Sequence, residues 1–329
     1  MSSDGLYGIR ATRAAPPGHA RGDDERRRVY GAALAQFDEL IAASTAVGPA
    51  SRPLPLFYAL SQAGRAIAAA HAVDAWRLRG HGLSSQELGV ALLDIEVKRT
   101  PGAGKDGRSV DSVTGVASAI GSEVFAEMAT IGALWASLPE VSYLLPESFD
   151  AVSFPMGFAL EPDPEWVRRR TDPGHVYAVA VDFEGTPDDL DRDLSEHYPI
   201  SVGMNAYMPL QGQPVARVHT PHGVGLVVRW NRQAAHDAGL DREVAALERD
   251  GWLWLRPSIS DVALSSLLTW WTLLFGLSML ARYEPAGWVQ ALDYESSPLA
   301  APLAMLLDIG LTRVPELTLD ALIVAPGST

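Results

Sequence analysis

The chain has 329 residues, of which 40 are acidic and 26 basic, giving a formal net charge of −14. Hydrophobic residues make up 47% and charged residues 20%, an ordinary globular composition that excludes disorder as the main state. The negative field opposes a generic nucleic-acid coat. The absence of cysteine excludes disulfides, cysteine nucleophiles, cysteine-ligated zinc and iron–sulfur clusters.

Residues 1–22 carry arginines but no apolar stretch of the kind a secretory signal needs, and Ala14-Ala15-Pro16-Pro17-Gly18 reads as part of a disordered tail. Asp23, Asp24 and Glu25 suit the positive end of a helix. Tyr30, Ala33, Leu34, Phe37, Leu40 and Ile41 then recur at helical spacing. Pro53 and Pro55 open a second helix, predicted to run to about Leu78 and to stop at Gly80 and Gly82. Residues 23–90 thus form an N-terminal helical part.

From Val90 to Arg99 the period changes. Leu93, Ile95 and Val97 alternate with Asp94, Glu96 and Lys98, which predicts a strand with one polar face. A Gly-rich charged loop, Thr100–Ser109, follows. Ser112–Ile120 reads as a further strand and Glu123–Leu138 as a helix ending at Pro139. His175–Phe183 reads as a strand and Gly185–Leu194 as a short helix. Val215–His219 and Gly223–Trp230 form a hairpin around Thr220-Pro221-His222, and Trp252–Leu255 adds another strand. Residues 91–258 are therefore a mixed α/β middle.

The end of the chain, 259–329, is helical again. Asp261 is a plausible N-cap for a helix that runs to Tyr283 and stops at Pro285. Two shorter helices follow, near Pro298–Leu311 and Pro315–Leu322. Helices, then strands, then helices predict an α+β fold with a mostly helical core, in which 259–329 packs with 23–90. Residues 262–281 are uncharged and long enough to span a bilayer. Serines and threonines dilute that run, and Trp270 and Trp271 sit at its middle and not at interfacial ends, so it reads as a core helix and no membrane is expected.

Three residue patterns could carry chemistry. Asp94, Glu96 and Lys98 share one strand face, as in the PD-(D/E)xK nucleases, where carboxylates hold Mg²⁺ and a lysine steadies water. No earlier strand supplies the Pro-Asp partner, and an ion pair on a solvated face explains the pattern equally. Arg65 and His71 match the Arg-x4–6-His spacing of HEPN-type ribonucleases, a cation for phosphate beside an imidazole. Arg169 or Arg170 with His175 fits the same spacing. Six residues turn a helix through about 600°, so Arg65 and His71 diverge. His219 and His222 flank a turn without a third metal ligand nearby in sequence. Gly102-Ala103-Gly104-Lys105 lacks the first glycine and the Ser/Thr of a phosphate-binding loop, and Gly223-Val224-Gly225 lacks the third glycine of a dinucleotide fingerprint.

Three segments together resemble the YaaC-like bacterial proteins: Leu54-Pro55-Leu56-Phe57-Tyr58-Ala59-Leu60, then His81-Gly82-Leu83, then Leu277-Ser278-Met279-Leu280-Ala281-Arg282-Tyr283-Glu284-Pro285 with Trp288. The last is the most specific. The resemblance covers most of the chain from about residue 28, though 140–260 matches no pattern. It implies an intracellular bacterial protein of poorly defined activity; the best reading is a soluble, cytoplasmic binding or regulatory component, and the nine tryptophans suit a protein partner or a second copy of the chain. The resemblance extends to multi-protein systems of the antiviral, phage-defence type, and it brings no catalytic residues. On this reading His81, Arg282, Tyr283 and Trp288 line a ligand cleft between the helical ends, with arginine as a forked donor for phosphate or carboxylate. The competing reading makes Arg282 a helix-end cation and Trp288 a packing anchor. A nuclease is the alternative activity, with Mg²⁺ as cofactor in its strand form only. No other cofactor is expected.

Overall fold

The structure, a computed structural model, describes residues 3–102, 109–151, 153–160, 175–206, 217–237, 248–249 and 251–323. The chain divides into two units, residues 1–151 with 259–329, and residues 152–258. The mixed middle expected from residue 91 therefore splits, and 91–151 joins the helical unit.

The first unit opens with α1 (Ser3–Ala14), where the sequence predicts a disordered tail. Its signal is faint: a short segment with two glycines and few apolar residues. Ile9 is fully buried, and a Cβ on Gly8 would lie 2.5 Å from Leu319, so absence of a side chain lets α1 dock. Helix α2 (Asp24–Ala46) begins where the Asp23 carboxylate accepts the amides of Glu25 and Arg26 at 2.8 and 3.0 Å. Helix α3 (Pro53–His71) is alanine-rich and buried on nearly every side, and ends seven residues before the predicted Leu78. Arg26 reaches across to accept the role of its cap, donating to the carbonyls of Ala69, Ala72 and Val73.

Short strands follow: β1 (Arg77–Leu78), β2 (Leu83–Ser84), β3 (Glu96–Arg99) and β4 (Ser109–Val110). The strand predicted from Val90 is only β3, because Leu92–Asp94 form a 3₁₀ turn. Ser112–Ile120 is helix α4 and not a strand. Its β-branched residues suggested extension, but Asp111 caps its start through the Thr114 amide and Gly121, at φ 70°, closes its end. The helix predicted over Glu123–Leu138 resolves into β5 (Met128–Thr130) and a short α5 (Ile131–Ala136) capped by Thr130. Strands β2, β3 and β5 form an antiparallel sheet, and β1 pairs with β4 in parallel.

The second unit is an antiparallel sheet of β6 (Met156–Ala159), β7 (His175–Val181), β8 (Met204–Ala206), β9 (Arg217–Thr220), β10 (Gly223–Asn231), β11 (Glu248–Arg249) and β12 (Trp252–Leu255). The order is β11-β12-β6-β7-β10-β8, with β9 also on β10. The predicted hairpin is β9–β10. Helix α6 (Pro187–His197) starts with a reciprocal capping box between Thr186 and Asp189 and buries Leu190 and Leu194. A single turn, α7 (Arg232–Asp237), follows β10.

The chain then returns to the first unit. Helix α8 (Ser266–Tyr283) is capped by Ser265 and not by Asp261, and Trp270 and Trp271 in its second turn are fully buried. It packs against α3, so the long apolar run is a core helix. Among the described residues, no helix is long and apolar enough to cross a membrane. After α9 (Pro285–Ala291), one helix, α10 (Ala300–Ile323), replaces the two predicted ones and runs through Pro315. An internal proline costs a helix about 3 kcal/mol. Burial of Val314, Leu317 and Leu322 offsets it, and Arg313 is clamped by Glu140 at 3.1 Å and by Glu316. Burial alone would raise the Glu140 carboxyl. Arg313 and the Trp270 indole, 2.8 Å away, outweigh it and hold Glu140 below the usual carboxylate range. The architecture is α+β, with the helical core built from both ends of the chain.

Candidate functional site

His81 stands between two glycines in the left-handed region, Gly80 at φ 67° and Gly82 at φ 75°. All three carbonyls of this turn are held. Gly80 accepts from the Ser112 hydroxyl at 2.7 Å and the Ser112 amide at 3.2 Å, and His81 from the Val113 amide at 3.3 Å. Gly82 accepts from the Thr100 amide at 2.9 Å and from Arg99 at 2.7 Å. The start of α4 therefore fixes the loop that carries the imidazole.

Beneath the loop lies an ion pair. Arg99 and Asp111 are 3.3 Å apart, with side chains only 7% and 3% exposed. Asp111 also accepts from the amides of Thr114 and Gly102 at 2.9 and 3.0 Å and from the Thr114 hydroxyl at 2.7 Å. Burial by itself would raise the Asp111 carboxyl; these hydrogen bonds and Arg99 more than reverse that and lower it. A Cβ on Gly82 would fall 1.9 Å from the Asp111 carboxylate, so only glycine fits.

The His81 ring packs between Phe57 of α3 and Phe275 of α8, with centroids 5.2 and 5.7 Å away. Burial lowers its pKa, and the charges of Arg282 and Arg65 lower it further, so the imidazole is neutral at pH 7. Its Nδ1 is buried and has no hydrogen-bond partner among the described residues. Arg282, at the last turn of α8, donates to the Tyr58 hydroxyl at 3.4 Å and to the Tyr283 hydroxyl at 2.9 Å. Its guanidinium also lies 4.8 Å over the Tyr283 ring. Arg65 donates to the Leu78 carbonyl at 3.3 Å.

Two features of this group bear on its chemistry. Among the described residues no carboxylate pairs with Arg65 or Arg282. Both tyrosine hydroxyls already accept from Arg282, which leaves their protons to donate, and both are on the surface, Tyr58 37% and Tyr283 56% exposed. The group thus presents guanidinium and phenol donors to solvent, which is the complement of an anion.

The other sequence-predicted residues lie elsewhere. Trp288 is 1% exposed and donates to the Ala50 carbonyl at 2.9 Å, so it anchors α9 and lines no cleft. His71 is buried and its Nε2 meets the Leu322 carbonyl at 2.8 Å, away from the carbonyl that Arg65 binds. The histidine near Arg65 is His81, ten residues further along than His71, beyond the end of α3. Asp94 sits on the 3₁₀ turn, off the strand, while Lys98 pairs with Glu96 at 2.9 Å, which raises the lysine. That is the solvated ion pair. His222 packs on Trp252 at 4.8 Å, and among the described residues no three His, Asp or Glu side chains are placed to hold a metal ion. Arg169, Arg170 and most of the Gly102–Lys105 segment lie outside the described residues. Sequence reasoning passed over Arg99, Asp111 and the Tyr58 hydroxyl. The glycines around His81 were their one signal, because such a turn needs something to hold it.

Fold and site together define an α+β protein in which α3 and α8 carry the residues of a cationic, donor-rich group. The family model of the YaaC-like proteins matches residues 17–322, and the chain belongs to that family. No curated protein and no solved structure matches it.

Proposed function

We propose that this YaaC-like protein is a soluble, cytoplasmic binding component, and that its ligand or partner presents an anionic group to Arg65, His81 and Arg282. The observation that carries this is a pair of arginines with no carboxylate beside them among the described residues, next to two phenol hydroxyls that accept from Arg282 and keep their protons to donate. In a chain of net charge −14, a local cationic spot of this kind is selective by sign. We extend the proposal to a regulatory place in a multi-protein, phage-defence-type system on the family's general character alone and on none of the residues. The nuclease alternative needs an arginine and a histidine converging, or Asp94, Glu96 and Lys98 beside another carboxylate; Arg65 and His71 bind different carbonyls, and Glu96 is paired with Lys98 while Asp94 lies off the strand.

The test is thermal unfolding of the full chain titrated with phosphate, sulfate and acetate at constant ionic strength, beside Arg282→Gln. A ligand at 100 times its Kd stabilises by about 2.7 kcal/mol. Saturable stabilisation that Arg282→Gln removes supports the reading. Equal responses of the two proteins refute it.

A further inference from the structure

The donor set constrains the kind of anion, an inference that rests on the anion-binding reading above. We propose that the site takes a phosphoryl dianion, free or as a phosphomonoester, and that His81 takes up a proton as it binds. Arg65 and Arg282 carry permanent charges with no carboxylate beside them among the described residues, so a monoanion neutralises half of what is there. The free donors are the protons of Tyr58 and Tyr283 and the remaining N–H groups of both guanidiniums. They outnumber what the two oxygens of one carboxylate accept in a single plane, and suit a tetrahedral group with oxygens on several sides.

The proton follows from the neighbours of His81. The charges of Arg65 from α3 and of Arg282 from α8 act on it, and Phe57 of α3 and Phe275 of α8 pack against its ring. Asp111 and Arg99, behind Gly82, are closed on one another. The charges that act on the imidazole are thus both positive, and they keep it neutral. A dianion seated between the guanidiniums reverses the sign of that field and favours the imidazolium. Nδ1 is buried without a partner among the described residues, so the ligand contact is assigned to Nε2. By linkage, binding then tightens as pH falls through the raised His81 value of the complex.

Isothermal titration calorimetry of the full chain tests this at about pH 8, where phosphate is mostly dianionic and His81 is neutral. The probes are inorganic phosphate, a nucleoside monophosphate and acetate, each in two buffers of different ionisation enthalpy. Phosphate or the monophosphate should bind at least about tenfold tighter than acetate, a charge-assisted difference, with net proton uptake. Residual monoanionic phosphate that binds as the dianion releases protons, the opposite sign, so uptake reports the protein. His81→Asn should abolish uptake, and Arg282→Gln, on an exposed side chain, should abolish binding. A monophosphate tighter than phosphate supports the ester as ligand; equal affinities support the free anion. Acetate binding as tightly as phosphate, or no uptake, overturns this proposal and leaves anion binding standing. No binding of any probe, or binding unchanged in Arg282→Gln, overturns both.

Discussion

Replacing Asp111 with alanine should destabilise the helical unit by about 3–5 kcal/mol, the range for stripping one partner from a buried ion pair. The structure shows why the effect is large. Loss of the α4 N-cap alone costs about 1 kcal/mol, because the Thr114 amide at 2.9 Å loses its acceptor. The Gly102 amide and Thr114 hydroxyl lose theirs as well. Arg99, 7% exposed, is left as a buried charge. It keeps the Gly82 carbonyl at 2.7 Å and the Thr114 hydroxyl oxygen at 2.7 Å, which places the outcome in the lower half of the range. At about 2–4 °C per kcal/mol for a unit of this size, Tm should fall by roughly 6–15 °C. Urea denaturation of Asp111→Ala, Arg99→Met and the double variant closes a double-mutant cycle. The double variant should be more stable than Asp111→Ala alone, because removing both charges avoids the uncompensated guanidinium. A cost below about 1 kcal/mol for Asp111→Ala, or strict additivity in the cycle, would mean that Asp111 and Arg99 do not form a coupled buried pair.

The two glycines around His81 should respond differently. Gly80→Ala meets open space and should cost only the left-handed penalty of about 1–2 kcal/mol, whereas Gly82→Ala also displaces the Asp111 carboxylate and should cost clearly more by the same denaturation assay. Stability should depend on pH through His81. Its folded pKa lies below the unfolded value near 6.5, so the unfolded chain binds more protons between the two, and stability should drop as pH falls through that window. Urea curves from about pH 8 to pH 5 should show the drop in the wild type and a flatter profile in His81→Asn. Asp111 acts lower: its folded pKa is depressed, so its contribution holds above about pH 4 and is lost on further acidification. His71→Ala should lose about 1–3 kcal/mol of stability from a buried hydrogen bond while anion-induced stabilisation persists, a result that separates His71 from the site.

The parts of the fold that were legible carry local signals. Alternation marks β7 and β10, and prolines and caps mark the starts of α3 and α6. The misread elements are those settled by distant contacts. Segment α4 has strand-like residues, yet its cap acid is fixed by Arg99, and α10 ignores Pro315 because its flanks are buried. At the site, His81, Arg282 and Tyr283 were visible as motif residues; in the structure Arg282 donates to the Tyr283 hydroxyl and its charge acts on His81. Sequence spacing paired Arg65 with His71, since distance along a chain does not say which face a side chain occupies. Trp288 shared the motif for packing reasons and not for a ligand.

The proposed anion lies beside Arg282 and His81, in the field of Arg65. Anomalous diffraction from a crystal grown with tungstate, a heavy tetrahedral dianion, locates such an ion directly. A peak within hydrogen-bond distance of Arg282 and of the Tyr58 or Tyr283 hydroxyl is the predicted result. Peaks at other arginines with none at this group would contradict it.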